Sequence, residues 1–197
     1  MAALDYWTGA TYDCPELTAS RIPAWEQALE PFRGQIRSVL EVGSYEGLSA
    51  LFWVRFFDAN VTCIDNWQNA LQPPTDVGTL LAAQAEKNFD RNASATGKCR
   101  KMKTHSTLGL DYLNERGETF DLIYIDGDHA RDQVMIDSLL AWRLLKPGGL
   151  MIWDDWREYA PGGTDELRPE TAIAAFCAWH HPDVIADTGQ QLICQKI

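Results

Sequence analysis

Three aspartates stand at the ends of two apolar runs, and their grouping is the strongest chemical signal in the chain. Phe120-Asp121-Leu122-Ile123-Tyr124-Ile125 leads into Asp126, and Leu150-Met151-Ile152-Trp153 leads into Asp154 and Asp155. If the two runs are neighbouring parallel strands, about 4.8 Å apart, the acids converge above one end of the sheet. Carboxylates that close repel one another unless positive charge sits between them. A hard divalent cation such as Mg2+, with oxygen ligands and some retained water, suits such a place. That ion would lower the pKa of a coordinated hydroxyl and hold it for attack. Asp128 and His129, just after Asp126, are both candidates to take the released proton. Plainer roles exist for each. Asp154-Asp155 can cap the next segment, Asp128 can be a first-turn acid of the following helix, and His129 can bond to backbone.

A second group surrounds a glycine turn. Glu41-Val42-Gly43-Ser44-Tyr45-Glu46-Gly47 closes one apolar run and opens another. Gly43 permits a tight bend with close backbone approach, and Gly47 permits a helix to pack near the strand. The third glycine of the dinucleotide fingerprint is missing, so a pyrophosphate has no nest here. A nucleoside ligand without phosphates has less need of one. Asp65 ends the next apolar run, about 20 residues on, where an acid can receive ribose hydroxyls. Two acids beside one nucleoside also suit a cationic ligand.

These residues need a scaffold that presents strand ends side by side. Ser38–Val42, 60–65, 100–104, 120–126 and 150–153 read as strands. Helices are predicted over 48–57, 79–89, 108–116, 130–145 and 169–179, with Lys146-Pro147-Gly148-Gly149 ending the fourth. Two further strands, 184–186 and 192–195, flank a hairpin turn at Asp187-Thr188-Gly189-Gln190. The alternation predicts an α/β, Rossmann-like, doubly wound sheet of seven strands, mostly parallel, with a C-terminal antiparallel hairpin. Residues 1–37 form a lead-in that covers the sheet edge or the site's mouth, with a helix from Ile22 to Leu29 capped by Ser20. Residues 38–197 form the core, and nothing divides the chain into more than one domain, 1–197. Trp53 and Trp142 belong to the core. Trp67, Trp153 and Trp156 either pack or wall a ligand, and Arg157 to Pro169 reads as a loop over the site.

Residues 38–47, Ile125-Asp126-Gly127-Asp128-His129, Leu145-Lys146-Pro147-Gly148-Gly149 and Trp153-Asp154-Asp155 resemble, in order and spacing, the motifs of class I S-adenosyl-L-methionine (AdoMet)-dependent methyltransferases. The spacing is similar to that of small-molecule O-methyltransferases of the macrocin type and, more distantly, the catechol type. The resemblance covers roughly residues 36–197. It implies that Glu41, Gly43, Ser44, Tyr45, Gly47 and Asp65 line the AdoMet site, with Ser106 near the adenine or else only a helix cap. It implies that Asp126, Asp154 and Asp155 bind Mg2+ or another divalent cation, and that Asp128 is the base. The acceptor would be a hydroxylated small molecule, a sugar or secondary metabolite. A metal-independent methyltransferase and a nucleoside-binding domain without catalysis remain alternatives.

Composition narrows the field. A net charge of −11, from 17 basic and 28 acidic side chains, disfavours a nucleic-acid partner. The one basic cluster, Lys98 to Lys103, reads as a solvated edge. Five cysteines without C-x-x-C spacing, and an N-terminus lacking a signal-peptide pattern, suggest a reduced cytoplasmic protein. No apolar run approaches the ~20 residues of a membrane span. Oligomeric state stays open, a homo-oligomer included.

Overall fold

The computed structural model describes residues 6–13, 16–68, 76–157 and 164–197. Seven strands form one sheet in the order β3-β2-β1-β4-β5-β7-β6. They are β1 (Ser38–Val42), β2 (Asn60–Asp65), β3 (Cys99–Lys103), β4 (Phe120–Ile125), β5 (Leu145–Trp153), β6 (Asp183–Asp187) and β7 (Leu192–Gln195). The first five run parallel, and β7 lies antiparallel to both β5 and β6. The strand order reverses between β1 and β4, which is where ligands bind in open sheets of this kind.

Residues alternate between two cores, as the pleat requires. Val39, Val61, Leu122, Tyr124, Leu150 and Ile152 enter one, and Leu40, Ile64, Ile123, Ile125, Met151 and Trp153 enter the other. Helices α1 (Glu16–Ala19), α2 (Ile22–Leu29), α3 (Leu48–Phe57) and α4 (Asp76–Ser94) precede β3, while α5 (Ser106–Glu115), α6 (Arg131–Leu144) and α7 (Pro169–His180) follow it. Every residue of α3 except Arg55 is buried. A helix apolar on all sides needs a second cover beyond the sheet, and the N-terminal segment supplies it. Tyr6, Trp7, Ile22, Trp25 and Leu29 join the α3 core, with Trp25 packed on Phe52, Trp53 and Tyr124 at ring centroids 5.0, 4.5 and 5.5 Å away. The Trp7 indole donates to the Leu48 carbonyl, and Arg55 donates to the carbonyls of Tyr6 and Thr8. The lead-in therefore belongs to the core as well as covering it.

Several local expectations are revised. Ser20 does not cap α2: the cap position is Arg21, which makes no capping bond. The helix before Lys146-Pro147-Gly148-Gly149 ends at Leu144, but β5 begins at Leu145, not at 150 as predicted, and carries these residues through a bulge opposite β4. Gly148 and Gly149 there exchange backbone bonds with Lys196. Helix α4 extends beyond the predicted 79–89 in both directions. Residues 158–163 of the expected loop over the site, and Pro73-Pro74, lie outside the described residues. The basic run forms edge strand β3, where Lys101 and Lys103 pair with Glu86 and Asp90, and Arg100 with Glu118.

Candidate active site

The glycine turn is shaped from beneath and from the side. Gly43 has φ 85° and donates to the Ile64 carbonyl at 2.8 Å. A Cβ there would lie 1.9 Å from the Asp126 carbonyl oxygen, so the turn and the end of β4 touch backbone to backbone. Asp65 organises the same turn. Its Oδ2 accepts from the amides of Ser44 and Tyr45 at 2.9 Å each, and its Oδ1 from the amide of Trp67 at 2.6 Å. A carboxylate offers about four acceptor positions, so Asp65 retains capacity for a further hydroxyl. Gly47 is left-handed, and a Cβ would press on the Phe89 ring at 2.9 Å.

Glu41 faces away from solvent, into the core under this turn. It is fully buried and accepts from the Trp53 indole at 2.8 Å. Burial pushes its carboxyl up to about 8, against the pull of hydrogen bonds from Ser44, Ser49 and Trp53. Ser106 is the first residue of α5, which His105 caps through Nδ1. Gln133 links the Ser106 and Thr107 hydroxyls to Asp137, a carboxyl that burial raises to about 6. Trp67 and Trp153 are both packed, and Trp153 also borders the acid cleft. The first lies against Phe89 and under the Lys101 ammonium, and the second is fully buried, donating to Ser138.

A polar group that sequence reading missed ties the turn to the N-terminus. Buried Glu46 accepts from the Asp13 amide and from Asn88, while Asn92 spans Thr11 and the Glu46 carbonyl. Two asparagines one turn apart on α4 were its only trace in the sequence.

The acids meet at the ends of β4 and β5. Asp126, Asp128, His129, Asp154 and Asp155 line one small cleft with Gly127, Trp153 and Pro169. Asp155 has a left-handed backbone, φ 51°, which turns it toward Asp126. Ligand atoms of Asp126, His129 and Asp155 lie within 4.8 Å of one another, and His129 Nε2 is 3.1 Å from Asp155 Oδ2. Burial, then Asp154 and Asp155, push the Asp126 carboxyl well above its usual range; the Tyr124 hydroxyl, 2.8 Å away, partly offsets this. Asp154 is buried and occupied from two sides. Arg21 Nε lies 3.2 Å from each carboxylate oxygen and Nη2 2.7 Å from Oδ2, while Gln191 Nε2 donates to Oδ1. Nη2 also reaches Asp155 at 3.4 Å. Burial works against the Arg21 charge, and the Asp154 carboxylate outweighs it. Asp128 is exposed and uses Oδ1 to accept from the Ala130 amide. The donor set, carboxylate oxygens and one imidazole crowded enough to raise Asp126, fits a divalent cation.

The mixed seven-stranded Rossmann-like sheet with its C-terminal antiparallel hairpin is the architecture of methyltransferase neighbours. A family model described as a methyltransferase domain matches residues 40–156, and the chain belongs to that family of AdoMet-dependent methyltransferases. Among solved structures it is similar to MycE methyltransferase from the mycinamycin biosynthetic pathway, in complex with Mg, SAH and mycinamycin VI. That match has 17% identity and TM-score 0.65, and covers 100% of this chain and 53% of that one. The chain thus spans about half the length of MycE. An O-methyltransferase from Bacillus cereus in complex with SAH matches with 16% identity and TM-score 0.57, covering 88% of this chain and 81% of that one. The Methanococcus jannaschii fibrillarin pre-rRNA processing protein has the same TM-score, 0.57, at 13% identity over 84% and 68%. At these identities the likeness is one of fold. A comparison with curated protein sequences finds no match. Among the described residues no helix is long and apolar enough to cross a membrane.

Proposed function

We propose that the chain methylates a hydroxyl group of a small molecule, with AdoMet as donor and a divalent cation at the acids that end β4 and β5. One observation carries this reading. The Gly43 turn is in backbone contact with Asp126, so a nucleoside on the turn and an acceptor in the acid cleft would share an edge. AdoMet supplies an electrophilic methyl group. Gly43, Ser44, Tyr45, Gly47 and Asp65 form its cradle, with Asp65 receiving a ribose hydroxyl and Ser106 at the far side; Glu41 supports the turn from below. Asp126, Asp154 and Asp155 would hold the ion, whose positive charge would lower the pKa of a bound acceptor hydroxyl. Asp128 takes the proton through its unengaged oxygen, with His129, held by Asp155, as the alternative acceptor. The chain, 1–197, would act as one domain, a reading supported by the N-terminal aromatics that share the α3 core.

The chemistry of the cleft supports a hydroxyl acceptor. The cleft offers carboxylates to a cation rather than amide donors to a base or a pyrophosphate. The MycE complex with a small molecule points the same way. The test is calorimetry with S-adenosylhomocysteine, followed by turnover on a panel of hydroxylated sugars and phenols with Mg2+ or EDTA. Binding of the nucleoside with Mg2+-stimulated methylation is the expected result. Absence of nucleoside binding by folded protein refutes the reading, and activity that survives EDTA refutes the metal. Asp128→Asn is expected to slow turnover by about 100-fold or more while Mg2+ still stimulates it. A near-normal rate moves the base to His129 or solvent.

A further inference from the structure

Arg21 is the feature this reading does not use. It lies in the N-terminal segment, 133 residues from Asp154. Its side chain is only 11% exposed, unlike the solvated arginine of an ordinary surface pair. Its position is also fixed. One helical turn further on, Trp25 is completely buried against Trp53 and Tyr124, which anchors α2 over the sheet. Tyr124 in turn bonds Asp126. The guanidinium is thus presented to the acids by a packed element.

Its contacts consume the carboxylate that a cation would need. Both Asp154 oxygens face Arg21, and Oδ1 also takes Gln191. A planar guanidinium and a divalent ion both seek the in-plane lone pairs of a carboxylate, and one pair cannot serve both. Asp155 is shared in the same way, with Oδ1 toward Arg21 and Oδ2 toward His129.

The geometry points to Arg21 as an internal competitor of the divalent ion, a built-in counter-charge that closes the acid cleft and must release Asp154 before that residue can join the metal. The inference rests on the metal reading above and adds a residue from the N-terminal segment to it. Binding free energies are reciprocal, so what Arg21 contributes to the metal-free cleft is subtracted from metal affinity. Arg21 is then a positioning residue, acting on the ion through Asp154. Lysine keeps the charge but loses the fork that spans both oxygens.

Mn2+ alone, titrated into the full chain and followed by calorimetry and by the electron paramagnetic resonance of free Mn2+, tests this. Arg21→Gln is expected to bind Mn2+ at least tenfold more tightly than wild type, since a charged hydrogen bond is removed from the competing state. Arg21→Lys falls between the two. Thermal melting gives an independent readout: R21Q melts lower than wild type in EDTA and gains more from Mn2+. Equal Mn2+ affinity in all three proteins, or weaker binding in R21Q, overturns the competition while leaving the metal site standing. Failure of every protein to bind Mn2+, with S-adenosylhomocysteine still bound, overturns both the competition and the metal. If R21Q does not fold, the wild-type-to-R21K comparison decides by the same ordering.

Discussion

Asp65 and Asp154 sit at equivalent places, each just at the end of a parallel strand, yet their charges are met by different means. Asp65 is held by backbone amides about 20 residues away, those of Ser44 and Tyr45, and by Trp67 close by. Asp154 is held by side chains from Arg21 and Gln191, far off in the chain. Backbone amides are present whatever the sequence, so the β1–β2 end is built locally and stays put. Side chains can let go, so the β4–β5 end can exchange one partner for another. On the proposed reading, the nucleoside end would be a fixed cradle and the acid end would have a replaceable charge balance.

The contrast can be broken most severely at Gly43. Gly43→Ala puts a methyl group into the Asp126 carbonyl at a left-handed φ, and is expected to cost about 3 kcal/mol or more in urea unfolding. Gly148→Ala, with a similar φ of 77° but open space around it, is expected to cost only about 1–2 kcal/mol. Equal costs would mean that the turn and β4 do not touch. Next in size, Asp65→Ala is expected to weaken S-adenosylhomocysteine binding about tenfold or more by calorimetry. Asp154→Ala should leave that affinity within about twofold and abolish the response to metal. If both substitutions weakened the nucleoside alike, the two ends would not be separate.

The smallest effect concerns Glu41 and its pH dependence. Its folded value, about 8, lies above the ordinary 4.5, so the folded state holds a proton that the unfolded chain has lost. The stability this gives is complete below about pH 4.5 and disappears as pH rises through 8. Melting temperature should therefore fall more between about pH 5 and pH 8 in wild type than in Glu41→Gln. Parallel profiles would show that Glu41 does not titrate in this window.

Strands β1 and β2 were readable to the residue, because both faces are buried and each ends at glycine or aspartate. Helix α3 was equally plain. Helix α4 was read as 79–89 but runs on to Ser94, which sets Asn92 one turn beyond Asn88. In the fold they are buried, and their amides hold Glu46, Thr11 and Asp13. The lead-in was read as a cover, since nothing local shows that Trp25 enters the core. Asp126, Asp154 and Asp155 could be grouped from strand ends alone. The partners of Asp154 could not, because Arg21 and Gln191 carry no motif.

Apolar strands alternating with helical segments, and the glycine turn, by themselves determined the doubly wound sheet. Both follow from short-range effects: strands buried on both faces read as continuous apolar runs, and a bend at positive φ is one that glycine makes cheaply. Tertiary structure alone decided which charge faces the acids and which way Glu41 points. Those depend on where distant segments pack, and a buried carboxylate takes whatever donor the fold brings within reach.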